Sequence, residues 1–249
     1  MKKHPILIVL VFALLLPLAA CSRSGAVRLP KADAVLQGKL VQLDDGACLL
    51  AGTDTAELYT VSTALKLFDA DSKPTDLAAL KAGQTLEIGY SGQVLESYPA
   101  QLGAPVYIRI TGQGDDLVGL YQTVVKDLWA EDTGLNPDSG VLAFDLSELT
   151  NLSDGEKSAL VYTVSNDYGL QGVAGTFDEL CQQGYINKDQ LYFENGMLLS
   201  FKLTDTSDSG FTFDVHKWRS GTGAYFFINC KATKSGADWT YTVGSEAIS

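Results

Sequence analysis

The sequence predicts a chain that is mainly β and α+β: a small OB-like Greek-key barrel followed by an α+β domain with a C-terminal antiparallel sheet. Three observations predict it. Residues 34–112 carry short alternating runs in the order three strands, a helical turn, two strands, which is the order of a small barrel. Residues 115–183 carry apolar spacings of three and four with two capping boxes, a helical signature. After Leu191 the period returns to two. Helices first and a meander after is the pattern of an α+β domain with its helices packed on one sheet face.

The elements follow in chain order. Lys2 and Lys3 precede an unbroken apolar run, Ile6 to Leu16, and the small residues Ala19 and Ala20 lead into Cys21. The run is well short of the ~20 residues that span a bilayer, so residues 1–20 read as a secretory signal. Leu18-Ala19-Ala20-Cys21 resembles the lipobox of bacterial lipoproteins, which is cut before the cysteine once its sulfur carries a diacylglyceryl group. The resemblance implies a membrane anchor at Cys21, with the body on the outer face of the cytoplasmic membrane of a Gram-positive-type cell. Residues 21–33 then form a tether, and its ten residues Ser22 to Lys31 reach at most ~35 Å.

Composition narrows the partners. Without residues 1–20 the chain keeps 16 of its 18 basic residues against 30 acidic ones, a net charge of −14. Such a balance lacks the clustered Lys and Arg that neutralise phosphates, which excludes nucleic acid, and it leaves membrane attachment to acyl chains. Cys48, Cys181 and Cys230 are too few and too scattered for a metal framework, and Cys48 sits in an apolar run as a small buried hydrophobe. A Cys181–Cys230 bridge is left open by the sequence. No cofactor motif is present.

Val35 to Leu43, the turn Asp44-Asp45-Gly46, Ala47 to Ala51, and Glu57 to Val61 predict a three-stranded meander. Leu77 to Lys81 with Gly83 as a stop predicts a helical turn, and Thr85 to Tyr90 and Val106 to Ile110 complete five strands. Leu80-Lys81-Ala82-Gly83-Gln84, Gly89-Tyr90-Ser91-Gly92-Gln93 and Glu96-Ser97-Tyr98-Pro99-Ala100-Gln101 resemble an uncharacterised OB-like domain of small secreted Gram-positive proteins, in which an ESYPAQ stretch precedes the last strand. That resemblance covers residues 34–112 and implies a fold and a location, not an activity. Tyr98-Pro99 reads first as a structural corner.

Residues 113–249 form the second domain. Asp115 or Asp116 caps a helix whose apolar face is Leu117, Leu120, Tyr121, Val124, Val125, Leu128 and Trp129. Thr133 to Gly140 is a loop, Val141 to Leu146 a strand, and Ser153 with Glu156 and Thr176 with Glu179 open two further helices ending at Gly169 and Gly184. Leu191 to Phe193, the Asn195-Gly196 turn and Met197 to Leu203 predict a hairpin, with strands at Phe211 to Val215, Ala224 to Ala232 and Trp239 to Val243.

Among surface elements, Trp218-Arg219-Ser220-Gly221-Thr222-Gly223 and Tyr225 combine an aromatic platform, a guanidinium and backbone N–H groups, which suits a small anionic or peptidic ligand. Trp218, Arg219, Gly221, Gly223 and Tyr225 are the ligand-binding candidates. Gly-Thr-Gly between strands is equally a routine turn. Asp214 and His216 share a strand face, yet no serine elbow or cysteine context makes them catalytic. Asp205 to Gly210 opens like a calcium loop, but its twelfth position is His216 rather than a bidentate glutamate. The expectation is a membrane-anchored, non-catalytic binding or accessory module. The alternatives are a carboxylate-dependent hydrolase of wall or peptide material and a structural partner in an envelope complex.

Overall fold

The computed structural model describes residues 28–136, 139–207, 209–236 and 238–249. Cys21 and the leader that carries the lipobox lie outside the described residues. The fold is mainly β with few helices, as the sequence predicts.

The first unit opens with β1 (Ala34–Asp44), β2 (Ala47–Gly52) and β3 (Leu58–Ser62), joined as an antiparallel meander. The tight reversal between β1 and β2 uses Gly46 at φ +87°, a backbone region that favours glycine. Short strands β4 (Lys66–Phe68) and β5 (Pro74–Thr75) and the 3₁₀ turn Leu77–Ala79 follow. Then come β6 (Thr85–Tyr90), β7 (Val94–Leu95), β8 (Ala100–Leu102) and β9 (Tyr107–Gly112). The strand β6 lies between β1 and β9, antiparallel to both.

Closure rests on two parallel pairings with one register. Tyr59 of β3 faces Ala100 of β8, and Leu67 of β4 faces Ile108 of β9, with the same offset. Thus β3–β4 and β8–β9 act as two longer strands, each broken once, and their pairing brings the ends of the sheet onto each other. Closing the sheet leaves few unpaired edges. Leu40, Leu50, Leu86, Ile88 and Ile108 fill the interior. β2 is buried on both faces: Cys48 and Leu50 point into the barrel, and Leu49 and Ala51 point out. The ESYPAQ stretch forms the β7–β8 corner, with a cis Tyr98–Pro99 peptide.

The second unit contains α1 (Leu117–Ala130), β10 (Val141–Glu148), α2 (Asp154–Tyr168), β11 (Gln171–Ala174), α3 (Phe177–Gln182), β12 (Gly196–Ser207), β13 (Gly210–Ser220), β14 (Gly223–Ser235), β15 (Asp238–Thr242) and β16 (Ser245–Ile248). The sequence signals for the helices are met locally. The Asp116 carboxylate accepts from Gly119 N–H at 2.8 Å, both capping boxes form, and Gly169 ends α2 at φ +65°. The sheet order is β11-β10-β12-β13-β14-β15, and β16 pairs with the first half of β14.

Two expectations are corrected. Asn195-Gly196 does not turn a hairpin. It starts β12, which runs parallel to β10, while the Asn195 carbonyl and side chain accept N–H groups of Gly140 and Val141. The long-range partner supplies more ladder bonds than the three residues 191–193 could. The helices also do not share one face. α1 and α2 cover Leu142, Phe144, Leu199, Phe213 and Val215, whereas α3 covers Ala143 and Leu198 from the other side.

The barrel sits on the α1–α2 layer. Val41, Leu49, Ala51 and Leu58 join the same apolar core as Leu120, Val124 and Leu160. The Lys39 ammonium pairs with the Glu156 carboxylate at 2.5 Å, and Tyr98 meets Tyr162 edge-on with ring centroids 5.5 Å apart. Backbones approach closely there: a Cβ on Gly155 would lie 2.3 Å from the Gly52 carbonyl oxygen.

Among the described residues Cys48, Cys181 and Cys230 are free thiols. Cys181 packs with the α3 cluster and Cys230 lies in the core on the opposite sheet face, so the two do not bridge. Burial pushes the Cys48 thiol up to about 11 and Cys230 up to about 12, which keeps both protonated and unreactive at neutral pH.

Candidate functional site

Strand alternation divides β13 into two jobs. Phe213, Val215 and Lys217 face α1 and α2, while Asp214, His216 and Trp218 face α3. Register then builds three rows across the α3 face. The first is apolar: Ala143, Leu198, Trp218 and Ala224 stand side by side. The second is Asp145, Ser200, His216, Phe226 and Ala247, contributed by five adjacent strands. The third is Glu148, Lys202 and Asp214. Because neighbouring strands lie about 4.8 Å apart, each row is a near-continuous strip of side chains.

These rows floor a cavity of about 740 Å³. Its apolar end is closed by Leu198, Trp218, Leu191 and Phe177, whose ring meets Trp218 edge-on at 5.3 Å. His216 lies against Phe226 with centroids 5.0 Å apart. Burial pulls the imidazole below its ordinary range, partly offset by the Asp145 and Asp214 carboxylates, so His216 is neutral at pH 7. Asp145 accepts from the backbone N–H and hydroxyl of Ser147, at 3.1 and 2.6 Å. Asp214 accepts from the Asn229 N–H at 2.7 Å. Among the described residues neither carboxylate is in an ion pair, while Lys202 lies 3.9 Å from Glu148 on the rim. A cavity with an apolar closed end and a few convergent polar groups has the character of a small-ligand site.

The five sequence candidates are divided by this geometry. Trp218 lines the cavity. Arg219 points to the other face, where its guanidinium donates to the Leu135 carbonyl at 2.9 Å and the Glu194 carbonyl at 3.1 Å. The Gly221 N–H donates to Leu191, which holds the β13–β14 turn against the 187–192 segment. Gly223 sits where a Cβ would lie 3.1 Å from Leu135. Tyr225 packs with the α1 side of the sheet and donates its hydroxyl to the Glu246 carboxylate, which pushes the phenol up to about 12. Trp218 and Arg219 therefore do not converge on one point.

Lys217, the residue that precedes this stretch, has a distinct position. It is fully buried, and its ammonium donates to the Glu131 carbonyl, to Asn136 Oδ1 at 3.0 Å and to the Asp132 carbonyl at 3.3 Å. The ammonium also lies 5.9 Å from the Trp129 ring centre. α1 has no basic residue in its last turn, and Lys217 supplies the positive charge that its C-terminal carbonyls require. The signal for it in the sequence is a lysine at an inward position of an alternating strand.

A second hollow of about 430 Å³ shares Asp145 and Ser147 with the cavity and reaches Tyr98 on the barrel. Among the described residues no group of three or more His, Cys, Asp or Glu is placed to hold a metal, and no helix is long and apolar enough to cross a membrane. The calcium-like stretch includes Asp208, which lies outside the described residues. Compared with known protein families, with curated proteins and with solved structures, the chain matches none significantly.

Proposed function

We propose that the chain is a lipid-anchored extracytoplasmic binding module whose ligand seat is the α3 face of the C-terminal sheet. The single observation that carries the seat is the cavity floored by Asp145, Ser200 and His216 and closed by Trp218 and Phe177. The anchor rests on Lys2, Lys3, the apolar run and Leu18-Ala19-Ala20-Cys21. The acidic body suits a partner other than nucleic acid, in the space just outside the cytoplasmic membrane.

A hydrolase is the second reading: beside the carboxylate chemistry the sequence suggests, Ser200 and His216 are cross-strand neighbours in an acidic cavity. A base-activated nucleophile needs a hydrogen bond between the two. Among the described residues no hydrogen bond joins His216 to Ser200, Asp145 or Asp214.

Two measurements test the proposal. Metabolic labelling with a fatty-acid probe is expected to mark the wild type and to fail for Cys21→Ala; label persisting in the variant removes the anchor. Titrating the mature chain with wall fragments and peptides is expected to shift amide signals of Asp145, Ser200, His216 and Trp218 together. Shifts confined to the barrel or to Arg219 and Tyr225 would move the seat elsewhere.

A further inference from the structure

We infer that the cavity on the α3 face takes a small ligand with an apolar, ring-like end and a cationic amine. The inference rests on the binding reading above and deepens it by naming the ligand class. The rows give the ligand its polarity along the cavity. Leu198, Trp218, Phe177 and Leu191 form a slot whose surface is apolar apart from the Trp218 indole N–H, so the inner end of the ligand is a ring or a short hydrocarbon. Directly above the slot, Asp145 and Asp214 flank Ser200 and His216.

Charge decides the outer end. Asp145 and Asp214 each spend one oxygen on a neighbouring N–H or hydroxyl, and neither is in an ion pair among the described residues. Lys202, a cation of the cavity rim, stands in register beside Asp214 and 3.9 Å from Glu148, so the lining sets three carboxylates, Asp145, Glu148 and Asp214, against it. The neutral imidazole adds no positive charge at pH 7. An anion would enter against two carboxylates, whereas an ammonium would gain two charge-assisted acceptors and face the aromatic rings of Trp218 and Phe226. This distinguishes the seat from the anionic ligand that Arg219 suggests in the sequence, since Arg219 lies on the opposite sheet face with its donors on Leu135 and Glu194.

The test uses three probes of one shape: phenethylamine, 2-phenylethanol and phenylacetate. Each is titrated into the mature chain at pH 7 while the signals of His216, Ser200 and the Trp218 indole are followed. Phenethylamine is expected to bind best and phenylacetate worst. In Asp145→Asn/Asp214→Asn, which keeps an acceptor for Ser147 and for Asn229, the amine is expected to lose roughly tenfold in affinity while the alcohol is unchanged. Melting curves matched to wild type establish that the variant is folded. Phenylacetate binding as well as the amine, or an amine affinity unchanged in the double variant, overturns the cationic class. The alcohol alone binding at Trp218 overturns the class but leaves the seat. No probe shifting the Trp218 and His216 signals counts against both.

Discussion

Single side chains in this protein carry more of the architecture than their types suggest. Among the described residues Lys217 is buried with no carboxylate in hydrogen-bond contact, and desolvation holds its ammonium down at about 8 instead of the ordinary 10.5. Between those values the unfolded chain binds more protons than the folded one, so folding stability attributable to this group rises with pH across the window and is flat below it. Urea denaturation of wild type and Lys217→Met at pH 7, 8, 9 and 10 is expected to show the wild type gaining on the variant above pH 8; a difference that shrinks there contradicts the buried-ammonium assignment. Arg219 works in the same neighbourhood, joining Leu135 and Glu194 to β13. Arg219→Ala is accordingly expected to cost about 1.5–3 kcal/mol of stability, the range for hydrogen bonds from charged groups, with ligand affinity at the cavity preserved. A melting curve identical to wild type would show that the guanidinium holds neither loop.

At the scale of elements, the caps and helix faces were legible because their signals are local. Asp116, Ser153 with Glu156 and Thr176 with Glu179 each act within four residues, and each forms as its spacing implies. Pairing between distant strands was not legible. Asn195-Gly196 carries a strong local turn signal, but β10, some fifty residues earlier, claims the strand that follows. The cavity shares that history. His216 and Trp218 are visible as neighbours on one strand face, whereas Asp145 and Ser200 join them only through the registers of β10 with β12 and of β12 with β13. Nor did the sequence reveal that β2 is buried on both faces, since Leu49 and Ala51 find their partners on α1 and α2. That contact has its own test. Gly155→Ala places a Cβ 2.3 Å from the Gly52 oxygen and 2.9 Å from the Thr55 oxygen, both backbone atoms that cannot rotate away. Overpacking of this kind is expected to cost about 1–3 kcal/mol in denaturant unfolding. No loss would mean that α2 does not rest on β2 in solution.

As a whole molecule, the proposed module is an acidic body of two units, tethered at Cys21 and with its ligand seat far along the chain from that anchor. The domain division at residues 112–113 is a proposal about folding, not about separation in space, because Val41, Leu49, Ala51 and Leu58 bury themselves in the core of the second unit. The barrel then acts as a base on which α1 and α2 lie, and those helices in turn support the sheet whose far face holds the cavity. On the proposed reading, this far face is where the protein meets its ligand. Ser200→Phe tests it most directly, because the added ring fills the middle of the floor between Asp145 and His216 without touching the α1 side of the sheet. Affinity for whichever wall fragment, peptide or amine the wild type binds is measured beside a melting curve for each protein. Binding is expected to fall at least roughly tenfold, the cost of obstructing a packed contact, with the fold retained. Undiminished affinity in a folded Ser200→Phe protein would contradict that reading.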